Sequence, residues 1–197
     1  MDETFGRRIE GVVEGTFGGN GPKLARPARR AERPEERLPR TAHRRLRVAI
    51  GSDHRGSTLR KQLREYLGEL GHTVVDCGAE EGGPSDYPDI ALAVADKVVR
   101  KTCDFGIVID AVGAGSAIAA NKVPGIRAAA CYDVETARSS RLHNDANVLS
   151  LGAGFLNRGL ARRIVREWLE TAFEGGRHVP RLEKIAKLEK DGLDARL

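Results

Sequence analysis

Four short stretches combine side chains that can move protons or hold anions. "GSDHRG" (51–56) sets the carboxylate of Asp53 beside the imidazole of His54, where an apolar run ends. Such a pair can bond hydroxyls and a phosphate, or Asp53 can simply cap the next helix. "IDAVGAGS" (109–116) places Asp110 ahead of Gly113, Gly115 and Ser116. Amides of small residues at a helix start can approach an anion, and a tight turn is the equal alternative. Neither a full G-x-x-x-x-G-K-[ST] nor a full G-x-G-x-x-G is present. "RLHNDAN" (141–147) offers His143 and Asn144 together, either as a catalytic pair or as ordinary structural residues. In "EGGRHVPRLEK" (174–184), Gly175 and Gly176 break a helix, and Arg177 and Arg181 stand four apart. On one helical turn two guanidiniums can clamp a phosphate by paired hydrogen bonds, or form a solvated basic face.

The elements that must position these residues follow from hydrophobic periodicity. Strands are expected at 46–50, 72–78, 105–110, 126–132 and 147–153. Helices are expected at 57–70, 88–100 (opened by Pro88), 116–123, 133–144 (capped by Asp133), 160–173 and 181–190. Five apolar strands separated by helices predict a parallel sheet covered on both faces. Ligands in such folds bind at the carboxyl ends of the strands. That rule selects Ser52 to His54, the loop with Asp86 and Tyr87, Asp110 to Ser116, and Tyr132 with Asp133. His143 and Asn144, at a helix end, can join them only through folding or a partner. Sheet order is not readable from the sequence.

The 197 residues carry a formal charge of +5, spread unevenly. Residues 1–45 hold eleven Lys/Arg against seven Asp/Glu, and their Gly, Pro and Arg content predicts a basic, disordered extension ahead of a domain at 46–197. The basic balance therefore describes a tail, and nucleic acid is not an expected partner of the folded part. Cys77, Cys103 and Cys131 form no C-x-x-C and are odd in number, which points to reduced thiols in the cytoplasm. No apolar run is long enough for a membrane span, so no membrane association is expected.

The span 47–190 resembles the RpiB/LacA/LacB family of sugar-phosphate isomerases. The resemblance rests on "VAIGSDHRG", "SDYPD", "AANKVPGIRAA", "SRLHNDANVLSLGA" and "FEGGRH". It implies a Rossmann-like three-layer α/β/α sandwich, no cofactor, no metal, and an active site at a dimer interface. It implies ring opening of a phosphorylated sugar, then proton transfer through an enediolate. Ribose 5-phosphate and ribulose 5-phosphate are the implied pair. Asp53 and His54 match a pair that contacts sugar and phosphate, and Tyr87 a tyrosine near the substrate. His143 matches a ring-opening histidine, Asn144 its hydrogen-bonding neighbour, and Arg177 and Arg181 two phosphate-binding arginines. Amides around Gly113 and Gly115 are expected to hold the enediolate oxygen, and Ser116 to contact the substrate.

Four positions depart from the pattern. Asp110 stands where the family commonly has its cysteine base, and Val112 where it has a threonine. Ser116 occupies the site of a glutamate found in relatives without the cysteine. Gly154 replaces an arginine after "LGA". The loop resembles the LacA subunit of galactose-6-phosphate isomerase, which takes its cysteine from LacB. Three readings stay open: Asp110 as a working base in a homodimer or larger homo-oligomer; a subunit completed by a cysteine-bearing paralogue; or a sugar-phosphate-binding homologue without isomerase activity.

Overall fold

The computed structural model describes residues 44–78 and 85–192. The extension expected over residues 1–45 lies almost wholly outside the described residues. The elements run β1 (Arg47–Ser52), α1 (Ser57–Glu69), β2 (Thr73–Asp76), α2 (Tyr87–Val99), β3 (Phe105–Asp110) and α3 (Ala114–Ala120). They continue with β4 (Ala128–Ala130), α4 (Val134–Asn144), β5 (Val148–Gly152), α5 (Arg158–Glu170) and α6 (Val179–Asp191), and a 3₁₀ turn at Gly176–His178 precedes α6. All pairings are parallel, in the order β2-β1-β3-β5-β4. The expected five-stranded parallel α/β architecture is what the chain forms.

Strand alternation divides the core in two. Val48, Ile50, Ile107, Ile109, Leu149 and Leu151 face α1, α4 and α5, where Leu63, Leu67, Ile164 and Trp168 are fully buried. Ala49, Val108 and Val148 face α2 and α3 through a layer of small residues, Ala91, Ala95 and Ala120 among them. The second layer is thin because alanines let helices approach the sheet closely.

Local chemistry sets the helix ends. Asp133 caps α4 as expected: its side chain accepts from Thr136 N at 2.7 Å, and Thr136 answers through its hydroxyl in a capping box. Asn157 caps α5 by accepting from Leu160 N, so that helix starts earlier than its apolar pattern suggests. It also ends earlier, because Thr171 turns extended. Strand β4 is shorter than expected, three residues at the sheet edge.

The sheet order fixes where a ligand can enter. From β1 the chain first steps outward to β2 and then returns past β1 to β3. The loops after β1 and β3 therefore diverge, and the crevice between them is the topological switch point. Asp53 follows β1, and Asp110 ends β3.

Candidate active site, in two halves

The loop after β3 is organised around its own carboxylate. Asp110 Oδ1 accepts from Val112 N at 2.7 Å and from Gly113 N; Oδ2 accepts from Ser116 N at 2.9 Å and from Ser116 Oγ at 2.6 Å. A carboxylate offers about four lone-pair sites, and here each is taken. Burial alone would raise the Asp110 pKa. The Ser116 hydroxyl and the amides of Gly113, Ser116 and Val112 outweigh it and hold the carboxyl below its ordinary value. Two glycines make the turn possible. Gly113 has φ +90°, and a Cβ on Gly152 would lie 2.3 Å from Val112 O. Ser150 Oγ on β5 donates to Gly113 O at 2.6 Å and fixes the loop from beneath.

This geometry bears on two expectations. The amides of Gly113 and Ser116 are turned onto Asp110, not presented to a substrate oxygen. The anion that this loop binds is its own side chain, so the carboxylate that looks out of place in sequence is what shapes the loop. Asp110 is also poorly placed to be a base, since taking a proton means giving up a bond to the loop.

Beside it, Asp53 is 7% exposed, and its Oδ1 accepts from Arg55 N at 2.9 Å and Gly56 N at 3.0 Å. The Tyr87 ring, at the start of α2, lies against Gly115: a Cβ there would be 2.9 Å from Tyr87 Cε2. His54 is exposed in the turn between Asp53 and α1. Asp53, His54, Tyr87, Gly113, Gly115 and Ser116 thus gather at the carboxyl end of the sheet.

The remaining expected residues gather elsewhere. His143 and Asn144 close α4, just before β5 begins, whereas β5 ends opposite Asp110 in the pairing Asp110↔Gly152. Strand β5, about 13 Å long at 3.3 Å per residue, runs between the two groups. Around His143 the His178 ring stacks at 4.5 Å between centroids, and Glu174 Oε2 lies 3.3 Å from His178 Nε2 and 3.8 Å from His143 Nε2. Arg177 Nε donates to His178 Nε2 at 3.3 Å, and Arg181 Nη1 lies 3.3 Å from His178 Nδ1. The two arginines converge as their spacing predicts, and His178, 3% exposed, is the hub that sequence reasoning missed. Its sequence signal was only its place between them.

His143, Glu174 and His178 bring three ligand-type atoms within 4.8 Å of one another. Two guanidiniums against the His178 nitrogens bring positive charge to the same cluster, beside the Glu174 carboxylate.

Among the described cysteines, Cys131 is 1% exposed, its Sγ faces Ser140 Oγ at 3.9 Å, and burial pushes its thiol pKa up. Burial does the same to Cys77 and Cys103. None has the depressed pKa of a reactive thiolate. Cys131→Ala is expected to leave catalytic activity within about 2-fold of wild type, checked by steady-state kinetics. A Phe155–Tyr132 edge contact, at 6.3 Å between centroids, lies beside Gly154.

The chain thus has a parallel sheet with a carboxylate-bearing crevice at its switch point and two arginines gathered on His178 at its other end. Residues 48–185 match the Ribose/Galactose Isomerase family, and the chain belongs to it. It is 42% identical over 144 residues to ribose-5-phosphate isomerase B of Escherichia coli, covering 73% of this chain and 96% of that one. It superposes on a ribose-5-phosphate isomerase B of Clostridium thermocellum with a TM-score of 0.73 at 47% identity, covering 74% and 99% of the two chains. The Mycoplasma genitalium enzyme, solved with bound ribulose-5-phosphate, aligns with a TM-score of 0.71 at 41% identity, covering 76% and 99%. Among the described residues no helix is long and apolar enough to cross a membrane.

Proposed function

We propose that this chain interconverts ribose 5-phosphate and ribulose 5-phosphate in the cytoplasm as a homodimer, each active site being built from the carboxyl end of one sheet and the arginine end of another. The division of the site residues between opposite ends of β5 is the observation that carries this reading. One protomer cannot close the site on itself, and twofold pairing is the commonest way to complete such a half. Helix α6 supports it, since none of its residues is buried and Val179, Ile185 and Leu188 are exposed along it. In the completed site, Arg177 and Arg181 hold the phosphate and His143 protonates the ring oxygen as the aldose opens, with Asn144 bonding beside it. Asp53, His54 and Tyr87 of the other protomer face the sugar.

A second reading is favoured by the occupied state of Asp110: a paralogue bearing the cysteine completes the site, as in galactose-6-phosphate isomerase. One experiment separates the two. The purified chain, after chelator treatment, is given ribose 5-phosphate and galactose 6-phosphate while its mass in solution is measured. A dimer turning over ribose 5-phosphate alone at about 1–10³ per second is expected. An inert chain that gains activity only with a cysteine-bearing homologue supports the second reading. Ligand-induced thermal stabilisation without turnover in either setting overturns both and leaves a sugar-phosphate-binding protein.

A further inference from the structure

An aldose–ketose isomerase needs a base that carries a proton between two adjacent carbons. The thiol that does this in many relatives is absent, and Asp110, which replaces it, has its acceptor sites filled by its own loop. The group left for the task lies one strand away. We propose that Asp53, through its Oδ2 atom, is the base that moves the proton, with Asp110 as a positioning residue. The assignment rests on the isomerase reading above.

The register of β1 and β3 sets the two carboxylates side by side. Ser52 pairs with Ile109, so Asp53 and Asp110 are the next residues beyond the last pair, on strands about 4.8 Å apart. Both end at the switch-point crevice. Their hydrogen bonding differs in kind. Asp53 spends only Oδ1 on its turn, accepting from Arg55 N and Gly56 N. Its Oδ2 accepts nothing among the described residues. Asp53 keeps 7% exposure, whereas the hydroxyl of its neighbour Ser52 is buried without a partner among the described residues. The backbone around it is held: Asp53 N donates to Ile109 O at 3.2 Å, and Gly56 N also lies 3.2 Å from Asp53 O. A rigidly mounted carboxylate with one capped and one open oxygen is an oriented base, and carboxylates remove protons beside carbonyls in preorganised sites.

Other described carboxylates near the carboxyl end are worse placed. Asp133 is committed to the α4 cap, and Asp86 is exposed, where solvation weakens the pull of a base. Glu174 lies at the opposite end, with the arginines.

In the aldose-to-ketose direction, Asp53 Oδ2 takes the proton from C2 and the C2–H bond breaks. Its electron pair forms the C1–C2 double bond, and the C1 carbonyl electrons move onto O1. The O2 proton passes to O1, the carbonyl re-forms at C2, and the Asp53 carboxyl returns its proton to C1. No atom or electron enters or leaves.

The test must separate proton transfer from ring opening, because an aspartate in the crevice could serve either. D-ribulose 5-phosphate does this: its O5 is esterified, so it cannot close a five-membered ring. Exchange of its C1 hydrogens with deuterium oxide, followed by proton NMR, and its conversion to ribose 5-phosphate are measured together. Asp53→Asn and Asp53→Ser are expected to lose both by about 10³-fold or more. The serine hydroxyl can still accept from the Arg55 and Gly56 amides, which keeps the turn folded. Asp110→Asn is expected to retain both within about 10-fold. The assignment is overturned if either Asp53 variant, folded by its melting curve, keeps C1 exchange on ribulose 5-phosphate and is impaired only with ribose 5-phosphate. It is also overturned if Asp110→Asn alone abolishes exchange without loss of fold. A wild-type chain that neither exchanges nor converts overturns the isomerase reading itself, and this assignment with it.

Discussion

Asp110→Ala is expected to unmake the loop after β3 and to lower the melting temperature by about 6–12 °C. The estimate begins with the donors left behind. Gly113 N, Ser116 N and the Ser116 hydroxyl point inward at the carboxylate and lose their acceptor. A buried donor left unmatched costs about 1–3 kcal/mol; water reaching the cavity recovers part, so a net loss of about 3 kcal/mol is expected. For a domain of this size each kcal/mol moves the melting temperature by about 2–4 °C. Asp110→Asn, which keeps one oxygen but turns an N–H₂ toward donors, should lose roughly half as much. The pH dependence carries the same information. The folded-state pKa of Asp110 is depressed by its hydrogen bonds despite burial, so its contribution is complete above the unfolded value of about 3.9 and is lost as pH falls through the lower folded value. Melting curves from pH 7 down to pH 3 should therefore show a constant gap between wild type and Asp110→Asn down to about pH 5, narrowing below about pH 4. A gap already closing at pH 6 would mean that the carboxyl is not held by these bonds.

What the sequence revealed and what it hid divide along a physical line. The period-2 and period-3.6 patterns report burial, and burial fixed the strands: Phe105 to Asp110 is the strand its pattern predicts. Cap chemistry is local too, so Asp133 could be recognised before its partner was seen. The role of Asp110 could not, because its four bonds come from the same loop, three from backbone amides and one from the Ser116 hydroxyl. A carboxylate before small residues reads equally as a catalyst beside an anion site or as the anion itself. The early start of α3 at Ala114 is part of the same event, since Asp110 occupies the amides that a helix start leaves open. His178 was hidden for a different reason. Its burial depends on Glu174, His143 and two arginines meeting where α4 and the last helix approach, and no spacing in the chain encodes that meeting.

The separation of Asp53 from the arginines along β5 leads to the second large effect, which two defective chains should show together. Arg177→Ala/Arg181→Ala removes both guanidiniums; charge-assisted hydrogen bonds contribute about 1.5–3 kcal/mol each, so kcat/KM should fall by about 10³-fold. Asp53→Asn should be at least as inactive on its own. If each site draws one end from each protomer, a mixed dimer holds one site carrying both defects and one carrying neither. Random pairing makes half of the dimers mixed, so co-refolded equal amounts should recover about a quarter of wild-type activity. The recovery should appear with subunit exchange and fail when the two variants are mixed without it. No recovery after verified exchange would mean that each protomer builds its site alone. The distance along β5 would then have to close by a movement of α4 and the segment from Glu174 to Arg181 past the whole sheet. The hydrogen bond from Glu174 N to Leu142 O and the buried Arg141, which donates to Ala146 O and Asp145 Oδ1 and lies over Phe105 and Trp168, oppose that movement. A shared site demands no such rearrangement: the arginines need only stay where the 3₁₀ turn and α6 already present them, and a second protomer brings its crevice to them.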